Sequence, residues 1–307
     1  MNHDTCWVLT GPTASGKTAL SIRLAKEFDC EILCMDSMQI YRRMNIGTAK
    51  PTAEEMEGIP HHMIDVAEPD ESFSVARYQE MAEACIADIQ ARGKRALLVG
   101  GTGLYLHALR QPMAMGDVGG DDAIRSELEQ IAAQEGGRQH LHDMLKTIDP
   151  ITAARLHMND VRRVVRALEV YRLTGIPFSQ QTQPQTPSRF HYKVASLTMD
   201  RVLLYARIEK RVDMMMEQGL VDEVRSLLDS GISADCQAMK AIGYKEIVPF
   251  IRGEATWERT DYLLKLNTRH YAKRQLTWMR HEEDVFWVDS LSNNAYDHLT
   301  TFFTKGE

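Results

Sequence analysis

Eight residues near the amino end, Gly11-Pro12-Thr13-Ala14-Ser15-Gly16-Lys17-Thr18, constrain this chain more than any other feature. They have the spacing G-x-x-x-x-G-K-T and follow the apolar run Cys6-Trp7-Val8-Leu9. A strand, a glycine-bearing turn and a helix starting near Lys17 would aim successive backbone N–H groups at one point, as a phosphate requires. Lys17 can add a point charge there, and the Thr18 hydroxyl can reach a magnesium ion. The expected ligand is a diphosphate or triphosphate.

Further apolar runs, at 32–35, 96–99, 194–197 and 285–288, are short and bounded by polar or glycine residues. With 6–9 they read as buried strands of a mainly parallel sheet. Between them lie helical patterns; in 74–92, Val75, Tyr78, Met81, Ala82, Cys85, Ile86 and Ile89 share one face and Gly93 is the expected stop. The expected fold class is α/β, a P-loop NTPase-like doubly wound sheet with helices on both faces. The polar, turn-rich stretches 111–122 and 179–189 read as linkers, and 123–176 as helical throughout. This predicts an α/β core from 1–112 and 190–307, with an inserted all-helical domain at 113–189.

A hydrophobic fraction of 44% and a charged fraction of 26% fit an ordinary globular protein, and no apolar run is long enough for a membrane helix. No basic-then-apolar leader pattern opens the chain, so the expected location is cytoplasmic. Five scattered cysteines form no C-x-x-C pair and read as reduced thiols. His61-His62 lacks a nearby third ligand, and adjacent residues on an extended segment point apart, so a metal site is not expected. Met214-Met215-Met216 reads as core filling.

The net charge of -7 argues against indiscriminate coating of nucleic acid. Charge is uneven, however: 51–90 carries ten acids against Arg77 alone, whereas 262–281 holds Lys265, Arg269, Lys273, Arg274 and Arg280 without an acid. On a helix over 261–281, Arg269, Lys273 and Arg280 fall on one face, either solvated or RNA-facing.

The strand at 96–99 ends in Gly100-Gly101-Thr102-Gly103, without the magnesium-holding aspartate common in nucleotide-hydrolysing enzymes. The carboxylate ends the second strand instead, as Asp36. Ligands of doubly wound folds sit at the carboxyl ends of strands, so Lys17, Asp36 and Thr102 should converge. One acid, one hydroxyl and a phosphate cradle suit departure of a diphosphate while a carboxylate takes a proton from the nucleophile. Asp36 could instead be a magnesium ligand or a helix N-cap, and Thr102 a cap of the helix 103–110.

The chain resembles the tRNA dimethylallyltransferase (tRNA isopentenyltransferase) family. The matching segments are GPTASGKT at 11–18, DSMQIYRRMNIGTAKP at 36–51, GIPHHMIDVAEP at 58–69 and GGTGLYLHAL at 100–109, then RRVVRALEVYRLTGIPFS at 162–179, RIEKRVDMMMEQGLVDEV at 207–224, AMKAIGYKE at 238–246 and RHYAKRQLTWMR at 269–280. They span nearly the whole chain in the family's order. The resemblance implies transfer of a dimethylallyl group from dimethylallyl diphosphate to N6 of adenosine 37, beside the anticodon, in tRNAs reading codons that begin with U.

By that resemblance the diphosphate is held by Gly11, Thr13, Ala14, Ser15, Gly16, Lys17, Thr18 and Arg207, with Mg2+ on Thr18. Asp36 is the base, Thr102 bonds the bridging oxygen, and Arg211 supports the diphosphate. An adenine flipped out of its stack would meet Asp36, Ser37, Met38 and Gln39. The anticodon stem-loop would be held by Thr102, Arg125, Asp160, Arg162, Arg163, Arg166, Lys240, Gly243, Tyr244, Lys245, Arg269, Lys273 and Arg280. Nothing demands a dimer, and a monomer is expected. Two other readings remain open at this level: a phosphate-loop kinase of small metabolites or nucleosides, and an RNA-binding module with a vestigial nucleotide site.

Overall fold

The structure, a computed structural model, describes residues 5–111, 119–181 and 188–306. The chain divides into two compact units, Met1–Gln111 with Pro187–Glu307, and Pro112–Thr186. The linker expectations at 112–118 and 182–187, and the predicted boundary at 112–113, lie outside the described residues.

The larger unit is built on six strands, β1 (Thr5–Thr10), β2 (Cys30–Cys34), β3 (His61–His62), β4 (Arg95–Val99), β5 (His191–Thr198) and β6 (Val285–Asp289), in the order β3-β2-β4-β1-β5-β6. Every neighbouring pair is parallel. Around them lie α1 (Lys17–Glu27), α2 (Ala53–Met56), α3 (Val75–Ala91) and α4 (Gly103–Arg110). The smaller unit holds α5 (Asp122–Ala133), α6 (Gly137–Ile148), α7 (Pro150–Arg155) and α8 (Val161–Thr174), and the larger one resumes with α9 (Arg201–Glu217), α10 (Leu220–Asp229), α11 (Tyr244–Ile251), α12 (Trp257–His281) and α13 (Ala295–Thr304).

The central strands are continuous apolar runs because both faces of the sheet are covered. Trp7 and Leu9 of β1 pack with Ile22 and Leu24 of α1 and Phe303 of α13, whereas Cys6 and Val8 face Leu106 and Leu109 of α4 and Ile86 of α3. α3 starts at Ser74, whose hydroxyl accepts from the Arg77 N–H, and ends before Gly93, whose φ of 73° is left-handed. One expectation needs correction, and one strand was not foreseen. β6 is an edge strand, so Val285 and Phe286 are half-buried and Trp287 is exposed, with Val288 alone of the four buried. β3, pairing Ile32 and Leu33 with His61 and His62, has no apolar run to announce it.

Because α1 leaves β1 toward one face and α4 leaves the adjacent β4 toward the other, a crevice opens between the carboxyl ends of these two strands. Asp36 follows β2, on the other side of β4.

The smaller unit is helical, with no strand among its described residues. Leu128, Leu141, Leu145, Val164 and Leu168 form its core. Glu169 is buried there, accepting from Arg125 Nη2 at 2.8 Å, Arg166 Nη1 at 2.9 Å and the Asp121 N–H at 2.9 Å. Burial alone would raise its pKa, but the Arg166 hydrogen bond, the Asp121 N–H and the nearby guanidinium charges overcome that and hold it below the ordinary glutamate value. No helix among the described residues is long and apolar enough to cross a membrane.

Candidate active site

The phosphate loop takes the shape its glycines allow. Gly16 has φ 92° just before α1, and Ala14 shares the left-handed region at φ 63°. The Lys17 amine donates to the carbonyls of Gly11 at 3.0 Å and Pro12 at 2.8 Å, folding back over the loop. Burial, reinforced by Arg211 and opposed by Asp36, lowers Lys17 from 10.5 to about 7. The buried Ser15 hydroxyl has no partner among the described residues. A buried orphan hydroxyl and a lysine short of counter-charge both fit a cradle built for an anion.

Asp36 sits on a turn that its own carboxylate holds. Oδ1 accepts from the N–H groups of Met38 at 2.8 Å and Gln39 at 3.3 Å. Burial raises the Asp36 pKa, against the pull of those two N–H groups and the charges of Lys17 and Arg211. Thr102 ties this turn to the neighbouring one: its Oγ1 accepts from the Ser37 N–H at 3.0 Å, and its own N–H donates to Met35 O at 3.2 Å. Its hydroxyl makes no capping bond to α4, so the capping alternative does not describe it.

Arg211, on α9, donates to Thr13 Oγ1 at 3.2 Å. Burial lowers its pKa, opposed by Glu55 and Asp36. Glu209, two residues before Arg211, pairs instead with Arg269, 3.0 Å away. Arg207, by contrast, is exposed and makes no ion pair among the described residues. One crevice thus gathers an anion cradle, two cations, one carboxylate and one hydroxyl.

Residues 39–282 match the family model described as IPP transferase. The chain belongs to the IPP transferase family. It is 50% identical over 306 residues to the tRNA dimethylallyltransferase of Exiguobacterium sp., covering 97% of this chain and 96% of that protein. It is also 50% identical over 283 residues to the tRNA dimethylallyltransferase of Halalkalibacterium halodurans, covering 92% and 90%. Among solved structures, the full-length tRNA isopentenylpyrophosphate transferase from Bacillus halodurans superposes with a TM-score of 0.74 at 46% identity, covering 98% of this chain and 95% of that one. A eukaryotic dimethylallyltransferase acting on tRNA gives 0.79 at 29% identity, covering 97% and 77%.

The residues predicted to meet RNA fall into two groups in this IPP transferase. Arg162, Lys240, Lys273 and Arg280 are exposed; Arg163 is exposed too and pairs with Asp160 at 3.2 Å. Lys245 is exposed, 3.7 Å from the Glu246 carboxylate. The other group is engaged internally. Arg125 and Arg166 neutralise buried Glu169, and Arg269 pairs with Glu209. Tyr244 needs correction: it is fully buried and its hydroxyl donates to Glu223 at 2.6 Å, so it has no side-chain surface for RNA. Gly243 donates its N–H to Glu246 and, at φ 99°, starts α11.

Beside Asp36, Ser37 and Met38 are half-buried. The Gln39 amide nitrogen donates to Thr48 O and Ala49 O, both at 3.1 Å, and its oxygen accepts from the Cys34 thiol at 3.3 Å. That side chain is spent on the loop it holds. The loop is in turn fixed by Glu223, which accepts from the N–H groups of Asn45 and Ile46 at 2.8 Å each and Gly47 at 3.1 Å. Met214 is 47% exposed, contrary to the core expectation, whereas Met215 and Met216 pack against the core. His61 and His62 bond separately, to Ile59 O and to Glu31, and no group of three or more potential metal-binding side chains occurs among the described residues.

Sequence reasoning missed Glu223, Tyr271 and Gln275. The signal for Gln275 was a polar residue four after Tyr271 and four before Met279, on the apolar side of α12.

Proposed function

We propose that this chain transfers a dimethylallyl group from dimethylallyl diphosphate to N6 of adenosine 37 of tRNAs reading codons that begin with U, releasing diphosphate. The observation that carries this reading is the stitched pair of turns, Ser37 N–H to Thr102 Oγ1 at 3.0 Å, which sets a carboxylate and a hydroxyl beside an anion cradle. The bond between the prenyl carbon and the bridging oxygen breaks, and its electron pair leaves with the diphosphate. The new bond forms from N6, whose lone pair is delocalised into the ring. Asp36 takes the N6 proton as that bond forms, and a raised pKa makes it a stronger base than a solvated aspartate.

Thr102 already accepts from Ser37, so its own O–H can turn to the bridging oxygen as negative charge grows there. Lys17, Arg211 and the loop N–H groups receive the diphosphate. Magnesium fits the residues present: Thr18 is exposed in the first turn of α1, and phosphate-bound magnesium needs few protein ligands. When bound it neutralises charge on the departing diphosphate.

Exposed Arg162 and Arg163 on α8, Lys240, and Lys273 and Arg280 on α12 support docking of a folded anticodon stem-loop. The inserted helical unit takes part in that docking, and the enzyme works as a cytoplasmic monomer. The test is to incubate the protein with labelled dimethylallyl diphosphate, magnesium and unmodified tRNA. Label is expected in the RNA, with little ATP turnover. ATP-dependent phosphorylation of a small molecule would favour the kinase reading, and tRNA binding without diphosphate release the binding-module reading.

A further inference from the structure

Gln275, on α12, touches both halves of the crevice. Its Oε1 accepts from the Thr13 N–H at 2.8 Å, and its Nε2 donates to Gly101 O at 3.1 Å. It is 6% exposed, so both bonds are shielded from water. Tyr271, one turn earlier, lies close enough to Thr102 and Gln275 for both to act on its hydroxyl. The contact is tight: a Cβ at Gly101 would lie 1.9 Å from Gln275 Nε2, and one at Gly103 2.1 Å from Trp278.

We propose that Gln275 is a positioning residue, which fixes the distance between the phosphate loop and the Gly101-Thr102 turn. This rests on the prenyl-transfer reading above. The two loops act on opposite sides of one breaking bond: the first holds the diphosphate, and Thr102 meets the bridging oxygen. Gln275 takes the Thr13 N–H out of the cradle, and Thr13 presents its hydroxyl to Arg211. One amide therefore sets Thr102, Thr13 and Arg211 against one another. The diphosphate's other contacts with the loop do not need this spacing, whereas the growing charge on the bridging oxygen does. Loss of Gln275 should lower kcat far more than it raises KM.

The test compares wild type, Gln275→Leu and Gln275→Glu in the labelled transfer assay, with thermal melting of each. Gln275→Leu should lower kcat by roughly 10²-fold, as for a misplacement near 1 Å, with KM for dimethylallyl diphosphate changed by less than about threefold. Gln275→Glu keeps the length and the oxygen facing Thr13, but when ionised it sets oxygen against Gly101 O. Protonated, its O–H donates there, and burial favours that form. Its activity relative to wild type should rise as pH falls from about 8 to about 6. The ionisable groups around it are Tyr271 and Arg274 on α12, Lys17 at the start of α1, Arg211 on α9 and Asp36 after β2, and the ratio to wild type removes the part of their titration common to both proteins.

A raised KM with unchanged kcat in Gln275→Leu, or a ratio flat with pH in Gln275→Glu, would overturn the proposal. If Gln275→Leu does not fold, the pH ratio of Gln275→Glu decides alone. Wild type that transfers no label sinks the functional reading and the proposal with it, whereas active wild type beside an equally active Gln275→Leu sinks the proposal alone.

Discussion

Binding of a prenyl diphosphate should take a proton from solution, because of Lys17. Burial and the Arg211 charge, opposed by Asp36, bring its ammonium from 10.5 down to about 7. The two bonds that Lys17 donates, to Gly11 O and Pro12 O, are as many as a neutral amine can donate. At pH 8 only about one lysine in eleven would then be charged, and at pH 7 about half. A diphosphate in the loop restores the ammonium, so binding takes up about 0.9 proton at pH 8 and about 0.1 at pH 6. Recharging costs about 1.4 kcal/mol at pH 8, which weakens affinity about tenfold relative to acidic solution. Calorimetric titration with dimethylallyl diphosphate, in buffers of different ionisation enthalpy, measures the uptake. Subtracting Lys17→Met removes the ligand's own protons. A difference below about 0.2 proton at pH 8 would refute the reasoning. The sign for stability follows: between about 7 and 10.5 the unfolded chain binds the extra proton, so the ligand-free protein gains stability as pH rises through that window.

Three further outcomes are expected. Asp36→Asn can keep the bonds from Met38 and Gln39 to its Oδ1, so the turn should survive while transfer falls roughly 10²–10⁴-fold and tRNA binding holds. In wild type, activity should disappear as pH falls through the raised Asp36 pKa, above the ordinary 3.8, and a loss of only a few-fold in Asp36→Asn would remove Asp36 as the base. Glu223→Ala leaves the N–H groups of Asn45, Ile46 and Gly47 and the Tyr244 hydroxyl without their acceptor, so denaturant unfolding should show a loss of at least about 1.5–3 kcal/mol, the scale of one charge-assisted bond. A change under about 0.5 kcal/mol would show that water replaces the carboxylate.

What the sequence made legible was what is local. The phosphate loop, the central strands and the face of α3 are each specified by a dozen neighbouring residues and by burial on both sides of the sheet. β3 escaped because a two-residue strand of histidines carries no apolar run, and β6 looked more buried than it is because an apolar run does not reveal which strand lies at an edge. Asp36 and Thr102 could be placed together from strand order, since both follow strand ends. Gln275 could not, because its partner Thr13 is 262 residues away in sequence. Tyr244, assigned to RNA by the resemblance, is a related case. Its side chain reaches inward to Glu223 while Lys245, the next residue, stays outside.

The turn after β4 explains why the crevice draws its carboxylate from β2. A Cβ at Gly100 would lie 2.0 Å from Met35 O, and one at Gly101 would strike Gln275. Gly100 cannot carry an aspartate without pushing two turns apart, and Gly101 cannot without displacing the Gln275 amide, so the place where a nucleotide-hydrolysing enzyme commonly sets a magnesium ligand is closed by packing. That close approach is what lets the Ser37 N–H reach Thr102. Steric exclusion at one strand end and a hydrogen bond to the next are therefore one device. An alanine at Gly101 would displace the Gln275 amide, which bonds both Gly101 O and the Thr13 N–H, and so would act on both loops at once.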